Sequence, residues 1–199
     1  MHGLIFRTIE AYVSDSFGAD RWSNLLAVAD IDVASFEAMF QYDDAYLPKI
    51  LSACAQTLER AEADVLEDIG TYLVTQQNHA SIRRLLRFGG NSFGEFLHSL
   101  DELPGRTRLA VAGLDLPQLT VRAHTPTSLM IYCEGGPSGF GHVLVGVLRS
   151  MADDYGVLAL VDHLGARNNA EVIEVTVVDA CFAEDRGFSL SSGAESQVA

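Results

Sequence analysis

Basic residues are scarce in this chain of 199 residues. Thirteen lysines and arginines stand against twenty-seven aspartates and glutamates, so the formal net charge is −14 at pH 7. Such an acidic surface has no electrostatic attraction to a phosphate backbone or to anionic lipid headgroups. We therefore expect neither nucleic acid nor a membrane among the partners.

Long apolar runs are also missing. No stretch reaches the roughly 18 uninterrupted apolar residues that a membrane-spanning helix needs. The N-terminal segment has no signal pattern either, because Arg7, Glu10 and Asp15 interrupt its apolar residues. We expect a cytoplasmic protein.

Cysteines are few and scattered. Cys54, Cys133 and Cys181 are odd in number, and no two of them have Cys-x-x-Cys spacing. This usage is typical of reduced thiols in a cytoplasmic protein and argues against a disulfide framework or a structural zinc site.

Sequence signatures of catalysis are absent too. No Ser/His/Asp order, pair of acids or cluster of metal ligands stands out. The glycine-rich loop of residues 135–141 is followed by no lysine, so it does not match a phosphate-binding loop. We expect that the chain is not an enzyme.

The first half of the chain has the apolar spacing of helices, with apolar residues every three or four positions. The polar residues Ser14 to Gly18 are expected to break the first helix. Helices are predicted over residues 3–13, 19–29, 32–40, 46–59, 62–76 and 81–88.

Two polar features of this half have more than one interpretation. Residues 42–44, Tyr-Asp-Asp, form either a helix N-cap or a contact with the second half of the chain. Arg83, Arg84 and Arg87 form the main basic cluster. It is either a surface for a partner or a helix end whose carbonyl groups favour cations.

The stretch from Gly90 to Pro117 begins with a strongly amphipathic segment. At 100° per residue its apolar positions fall within a stripe about 120° wide, and position 104 continues that stripe. His98 lies on the opposite face. Pro104 has no amide hydrogen to continue a helix, so the helix is predicted to end there. The stripe consists of Phe93, Phe96, Leu97, Leu100 and Leu103.

After Pro117 the apolar period changes to that of strands. A hairpin is predicted from residues 119–123 and 128–132, then a helix over 142–155. Two further strands, 157–162 and 171–178, are joined by a turn at 165–169. The predicted class is therefore α+β: a helical N-terminal half, then a helix, an antiparallel sheet of about four strands and a packed helix. We expect one domain over 1–186, with subdomains 1–88 and 89–186, and a disordered tail over 187–199.

Several motifs occur in a family-like order. Residues 96–103 read Phe-Leu-x-x-Leu-Asp-x-Leu, and Met-His-Gly opens the chain. Phe17-Gly18, Trp22, the Tyr-Asp-Asp of residues 42–44 and Arg84-Leu85 follow at matching positions. Over about residues 1–160 the chain resembles the haem nitric oxide/oxygen-binding (H-NOX) family, the sensor domain of soluble guanylate cyclase and its bacterial relatives.

The resemblance implies a haem b cavity, and the chain departs from the family at both haem-holding motifs. The family's axial histidine follows the Leu-Asp-x-Leu motif, where this chain has Pro104. The family's Tyr-x-Ser-x-Arg motif, which holds the haem propionates, corresponds to residues 132–137, Tyr-Cys-Glu-Gly-Gly-Pro. By resemblance, the residues matching the cavity are Ile5, Ile9, Leu97, Leu100, Pro104, Pro117, Tyr132 and Val143.

The sequence therefore has no ligating residue at the family's position for the axial ligand of the haem iron, and other residues must be considered. His98 is the nearest histidine, but it faces away from the apolar stripe. Ile9 and Val143 are apolar, so a haem here would favour nitric oxide over oxygen. The other candidate ligands are His79, His124, His142, His163 and Cys133.

Three hypotheses follow. The chain is a stand-alone sensor domain with a degenerate, haem-free site that holds a small apolar ligand or side chains. Alternatively, it is a haem-based nitric oxide sensor with a displaced axial ligand. The third hypothesis, an enzyme, has no motif in its favour. Under the first two, the resemblance implies a separate signalling partner such as a histidine kinase or a cyclic-dinucleotide enzyme.

Overall fold

The computed structural model describes residues 1–76, 80–125 and 127–184. Its N-terminal half is helical, as the apolar spacing predicted. The helices are α1 (Gly3–Phe17), α2 (Ala19–Val28), α3 (Tyr46–Leu58), α4 (Glu62–Thr75) and α5 (Ala80–Arg87).

Two helix predictions in this half were wrong. Helix α1 runs through Ser14 to Phe17 and ends at Gly18, whose φ of 93° only glycine adopts readily. Residues 32–40 form no helix. This segment instead buries Phe36 against the ring of Phe6, at a centroid separation of 4.9 Å. Its backbone is held by the Glu10 carboxylate, which accepts the Phe36 N–H at 2.9 Å.

The predicted helix from Phe93 is divided into three parts. Helix α6 (Phe93–His98) passes into a 3₁₀ turn (Ser99–Glu102), and α7 (Leu103–Ala110) follows. The prediction that Pro104 ends a helix was wrong, because Pro104 lies in the first turn of α7. An amide hydrogen at that position has no partner within the helix, so proline is tolerated there.

The second half is an antiparallel sheet with a helix packed on it. The strands are β1 (Gln118–Ala123), β2 (Ser128–Glu134), β3 (Leu158–Arg167) and β4 (Ala170–Asp179), in the order β1-β2-β4-β3. Helix α8 (Phe140–Asp154) packs on one face. The turn predicted over residues 165–169 is shorter in the structure, because β3 continues through Gly165 to Arg167. The two residues between β3 and β4, Asn168 and Asn169, both have positive φ. The α+β class is confirmed.

The two polar features have structural explanations. Asp43 accepts the Ala45 N–H at 2.9 Å just before α3, and Asp44 pairs with the N-terminal amine. The N-cap residue of α3 is Ala45 and no side chain caps the helix, so the N-cap interpretation was wrong. The side chains of Arg83 and Arg87 point inward, where both meet the carboxylate of Asp154. These two arginines therefore join α5 to α8 and do not form a partner-facing patch.

The chain has two hydrophobic cores, and they meet where α4 crosses α8. One core surrounds Phe6, and the other lies between α8 and the sheet. A Cβ at Gly70 would overlap the Val143 carbonyl, and a Cβ at Gly146 would overlap the Glu67 carbonyl. Glycine at both positions therefore allows the two helix backbones to touch. Within the part of the chain that the structure describes, no helix is long and apolar enough to cross a membrane.

This crossing predicts unequal effects of two glycine substitutions. Gly146→Ala should lower the free energy of unfolding by about 1–3 kcal/mol, because the added methyl group forces the backbones apart. Gly94→Ala is the matched control in α6, where a Cβ meets nothing within 4 Å. It should be neutral or stabilising by up to about 1 kcal/mol. Urea unfolding measures both, and equal effects would contradict the crossing.

Candidate ligand cavity

A cavity of about 270 Å³ lies at the junction of the two halves. Its walls are almost entirely aliphatic, and they come from both halves of the chain. Helices α1, α3 and α4 contribute Ile5, Ile9, Leu47, Leu51, Leu66, Ile69 and Leu73. Helices α5, α7 and α8 contribute Ile82, Leu85, Leu103, Thr107, Ala110, Val143 and Val147, and the connection after α7 adds Leu114, Leu116 and Pro117.

The structure brings some of the predicted cavity residues together and separates others. Ile5, Ile9, Pro117 and Val143 lie in the wall. Leu97 and Leu100 are fully buried in the core that includes α8 and the sheet, and they are not part of the cavity wall.

Pro104 and Tyr132 also lie outside the wall. Pro104 is buried at the start of α7, and the wall is formed instead by Leu103 and Thr107. Tyr132 is half-buried on β2, with the Arg122 guanidinium 5.3 Å from its ring centroid.

Thr107 is the most informative of the wall residues that the sequence analysis did not name, because it is a buried polar residue. It is buried, with 7% of its surface exposed, and lies on the cavity side of α7. Because the helix was predicted to end at Pro104, Thr107 was not considered as a helical residue that faces the cavity. The signal was available, because Leu103, Thr107 and Ala110 have helical spacing on one face.

The wall of the aliphatic cavity offers no iron ligand. Among its described residues there is no imidazole, thiol, thioether or phenol, and the polar side chains are Thr8, Thr107, Asp115 and Ser138. The Thr8 hydroxyl already donates a hydrogen bond to the Leu4 carbonyl oxygen at 2.8 Å. Haem iron in proteins is held by histidine, cysteine, methionine or tyrosine. The described wall therefore does not fit an iron-ligated haem.

The sequence-predicted ligands lie elsewhere. His98, at the end of α6, and His124, after β1, are both exposed. His79 lies outside the described residues. Cys133 is buried in the core between the sheet and α8, where burial raises the pKa of its thiol to about 12, with a smaller contribution from Glu171. A thiol with so high a pKa is a poor metal ligand, because the thiolate is the ligating form.

A larger cleft of about 920 Å³ adjoins the aliphatic cavity. The two spaces share nine wall residues, of which only Asp115 and Ser138 have polar side chains. The remainder of the cleft wall is much more polar. It includes His2, Gln41, Asp44, Glu62, His142, His163 and Glu171.

Two stacked histidines lie in the wall of this cleft. The ring centroids of His142 and His163 are 4.0 Å apart, and the ring planes are inclined by 22°. His142 Nδ1 lies 3.3 Å from the Glu67 carboxylate on α4, and His163 Nε2 lies 3.5 Å from the Glu171 carboxylate. Glu171 also accepts the N–H groups of residues 139 and 141 at the start of α8. The pair therefore links α4 to the sheet half. Within the described ranges no three His, Cys, Asp or Glu side chains form a metal-binding group.

Solved H-NOX structures share this arrangement of elements. An H-NOX protein from S. oneidensis in the Fe(II) state matches with a TM-score of 0.75 at 17% identity, over 90% of this chain and 97% of that chain. An H-NOX protein from K. algicida matches with a TM-score of 0.74 at 15% identity, over 89% and 96% of the two chains. At these identities the likeness establishes the fold, which is the H-NOX fold.

The family follows from the sequence. The model of the haem-NO-binding family matches residues 2–161. The chain therefore belongs to the haem-NO-binding family, and its matched region is a sensor domain.

The curated relatives are much longer proteins. Soluble guanylate cyclase gcy-31 of Caenorhabditis elegans is 23% identical over 154 residues, which are 77% of this chain and 22% of the relative. Soluble guanylate cyclase 89Db of Drosophila melanogaster is 19% identical over 155 residues, which are 78% and 23%. The chain thus spans less than a quarter of the length of these relatives.

Burial predicts that the three thiols differ in reactivity. Burial raises the pKa of Cys54 and of Cys133 to about 12, so both are protonated at pH 8, whereas Cys181 is exposed. Iodoacetamide at pH 8 should alkylate one thiol per native chain and three after denaturation, as counted by mass spectrometry. In Cys181→Ser the native chain should stay unlabelled. Labelling of Cys133 in the native chain would contradict its burial.

Proposed function

We propose that this chain is a sensor domain whose aliphatic cavity binds a small apolar molecule in place of an iron-ligated haem, and that it signals through a partner. The observation that carries the proposal is the cavity wall, whose described residues supply aliphatic surface and no donor for iron. An apolar, preformed cavity of this kind takes up apolar molecules because burying their surface is favourable by about 25 cal/mol per Å².

The surroundings of the cavity also disfavour the two propionates of haem. Tyr132 is the one residue kept from the family's propionate motif, and it lies outside the wall. Glu134, close to it in sequence, is exposed and negative. The adjoining cleft carries Asp44, Glu62 and Glu171, so added carboxylates would meet like charges there.

The shape of the cavity suggests how a signal would leave it. Its walls come from α1, α3 and α4 on one side and from α5, α7 and α8 on the other. A ligand that touches both halves favours one relative placement of the halves over another. A partner that binds one of these placements would then read the occupancy of the cavity. A histidine kinase or a cyclic-dinucleotide enzyme is the proposed kind of partner, in keeping with the guanylate cyclases among the relatives.

The alternative is a haem-based nitric oxide sensor with a displaced axial ligand. One observation favours it: His2, His142 and His163 line the larger cleft beside the cavity. Each already has a neighbour for one ring nitrogen. His2 Nδ1 accepts the Leu4 N–H at 3.2 Å, and His163 Nδ1 accepts the Gly165 N–H, also at 3.2 Å.

Haem titration separates these two functions. Protein from haem-supplemented cells should show no sharp Soret band, and titration should give only the broad band of loosely adsorbed haem. Pro104→His should behave the same way, because residue 104 lies outside the cavity wall. A sharp band at one haem per chain, lost when one of the six histidines is replaced, would establish the alternative and identify the ligand.

Benzene tests the cavity directly. At ten times its Kd, benzene should stabilise the chain by about 1.4 kcal/mol and raise the Tm by about 3–5 °C. Val143→Phe, which fills the cavity from α8, should abolish this rise. Val178→Phe is the matched control, because Val178 is 57% exposed on β4 and should leave the rise intact. An equal rise in all three proteins would place benzene outside the cavity and contradict the proposal.

A further inference from the structure

The aliphatic cavity and the polar cleft meet along a common wall whose composition changes from one end to the other. Most of the shared residues are apolar, including Ile5, Leu47 and Leu66. The two shared polar side chains are the Asp115 carboxylate and the Ser138 hydroxyl. A molecule lying across this junction would therefore have an apolar body on one side and polar neighbours on the other.

The charge of the cleft determines which charge the polar head group of such a molecule should carry. With its three histidines counted as neutral, its wall carries four carboxylates, those of Asp44, Glu62, Asp115 and Glu171, against one formal cation, the N-terminal amine. That amine is already paired with Asp44. A cleft with walls of one charge sign concentrates molecules of the opposite sign. A cationic head is thus attracted here, and an anionic head is repelled.

Asp115 is the carboxylate placed to meet such a head. It lines both spaces, and its other partner is the Arg108 guanidinium, at 3.2 Å. Both side chains of this pair are largely exposed, 61% for Arg108 and 78% for Asp115. Exposed pairs of this kind contribute little free energy, so an ammonium group can replace the guanidinium at small cost. The Ser138 hydroxyl, which also lines both spaces, is a second acceptor for ammonium hydrogens.

We propose that the cavity and the cleft together form one site for an amphipathic molecule with an aliphatic body and a cationic head, of the primary alkylamine class. This inference rests on the proposed function, since it assumes that the aliphatic cavity takes a ligand. It goes further by placing the head beside Asp115 and by giving the head a positive charge.

Three probes with the same chain and different heads test this class. Octylamine, octan-1-ol and octanoate are titrated into the full chain by calorimetry, below their micelle-forming concentrations. Octylamine should bind about fivefold more tightly than octan-1-ol, and octanoate should bind most weakly. The advantage of the amine should shrink as salt is added, because the attraction acts between partly exposed charges.

Matched variants locate the head. Asp115→Asn should reduce the preference for octylamine over octan-1-ol to twofold or less and leave octan-1-ol binding unchanged. Asp153→Asn makes the same charge change at an exposed residue of α8 outside both walls and should keep the fivefold preference. Val143→Phe should weaken all three probes, because it fills the space for the octyl chain.

The outcomes separate this inference from the function on which it rests. If no probe binds the wild-type chain, or if Val143→Phe binds all three as well as the wild type, the proposed function itself fails. If the probes bind and Val143→Phe weakens them, but octanoate binds best or the heads bind equally, the cavity takes ligands and the cationic head is wrong. An amine preference that survives in Asp115→Asn overturns the placement at Asp115.

Discussion

The contact between α4 and α8 is the constraint on which the rest of the structure depends. Gly70 and Gly146 let the two backbones touch, and beside them Glu67 binds both His142 and Arg149 of α8. This crossing joins two cores that are otherwise separate. Because the cavity is lined from both sides of the crossing, its size follows from how closely these helices approach. Larger residues at either glycine would therefore change the cavity without touching its wall.

The fold accommodates a proline at position 104 without losing either core. The fold is supported by the burial of residues such as Phe96, Leu97 and Leu100, none of which needs a haem to pack against. Proline in the first turn of α7 costs no helical hydrogen bond. The chain thus keeps its cores and α7 with a proline at position 104. The face that α7 presents to the cavity carries Thr107.

Local patterns predicted most of the fold and only part of the site. Apolar periodicity identified the long helices and all four strands, because burial on one face sets that spacing directly. It failed at residues 32–40, where tertiary contacts of Phe36 and Glu10 fix an irregular backbone. It also failed at Pro104, because a proline that ends one helix and a proline that begins another look alike without caps. Family resemblance suggested Leu97 and Leu100 for the cavity wall, yet whether a core residue faces a void depends on packing that no local pattern records.

The position of the polar cleft next to the aliphatic cavity bears on how a ligand would act. In the proposed function, a molecule confined to the cavity gains free energy only from aliphatic contacts, which lack direction and discriminate weakly between ligands. A head group beside Asp115 adds contacts on the loop that follows α7, while the body touches α4 and α8. Ligand binding would then stabilise one arrangement of these three elements. A partner that binds the same arrangement would raise the affinity for the ligand by the factor by which the ligand raises the affinity for the partner. Under this proposal, the acidic cleft gives the domain a basis for selectivity that a cavity with only aliphatic walls lacks.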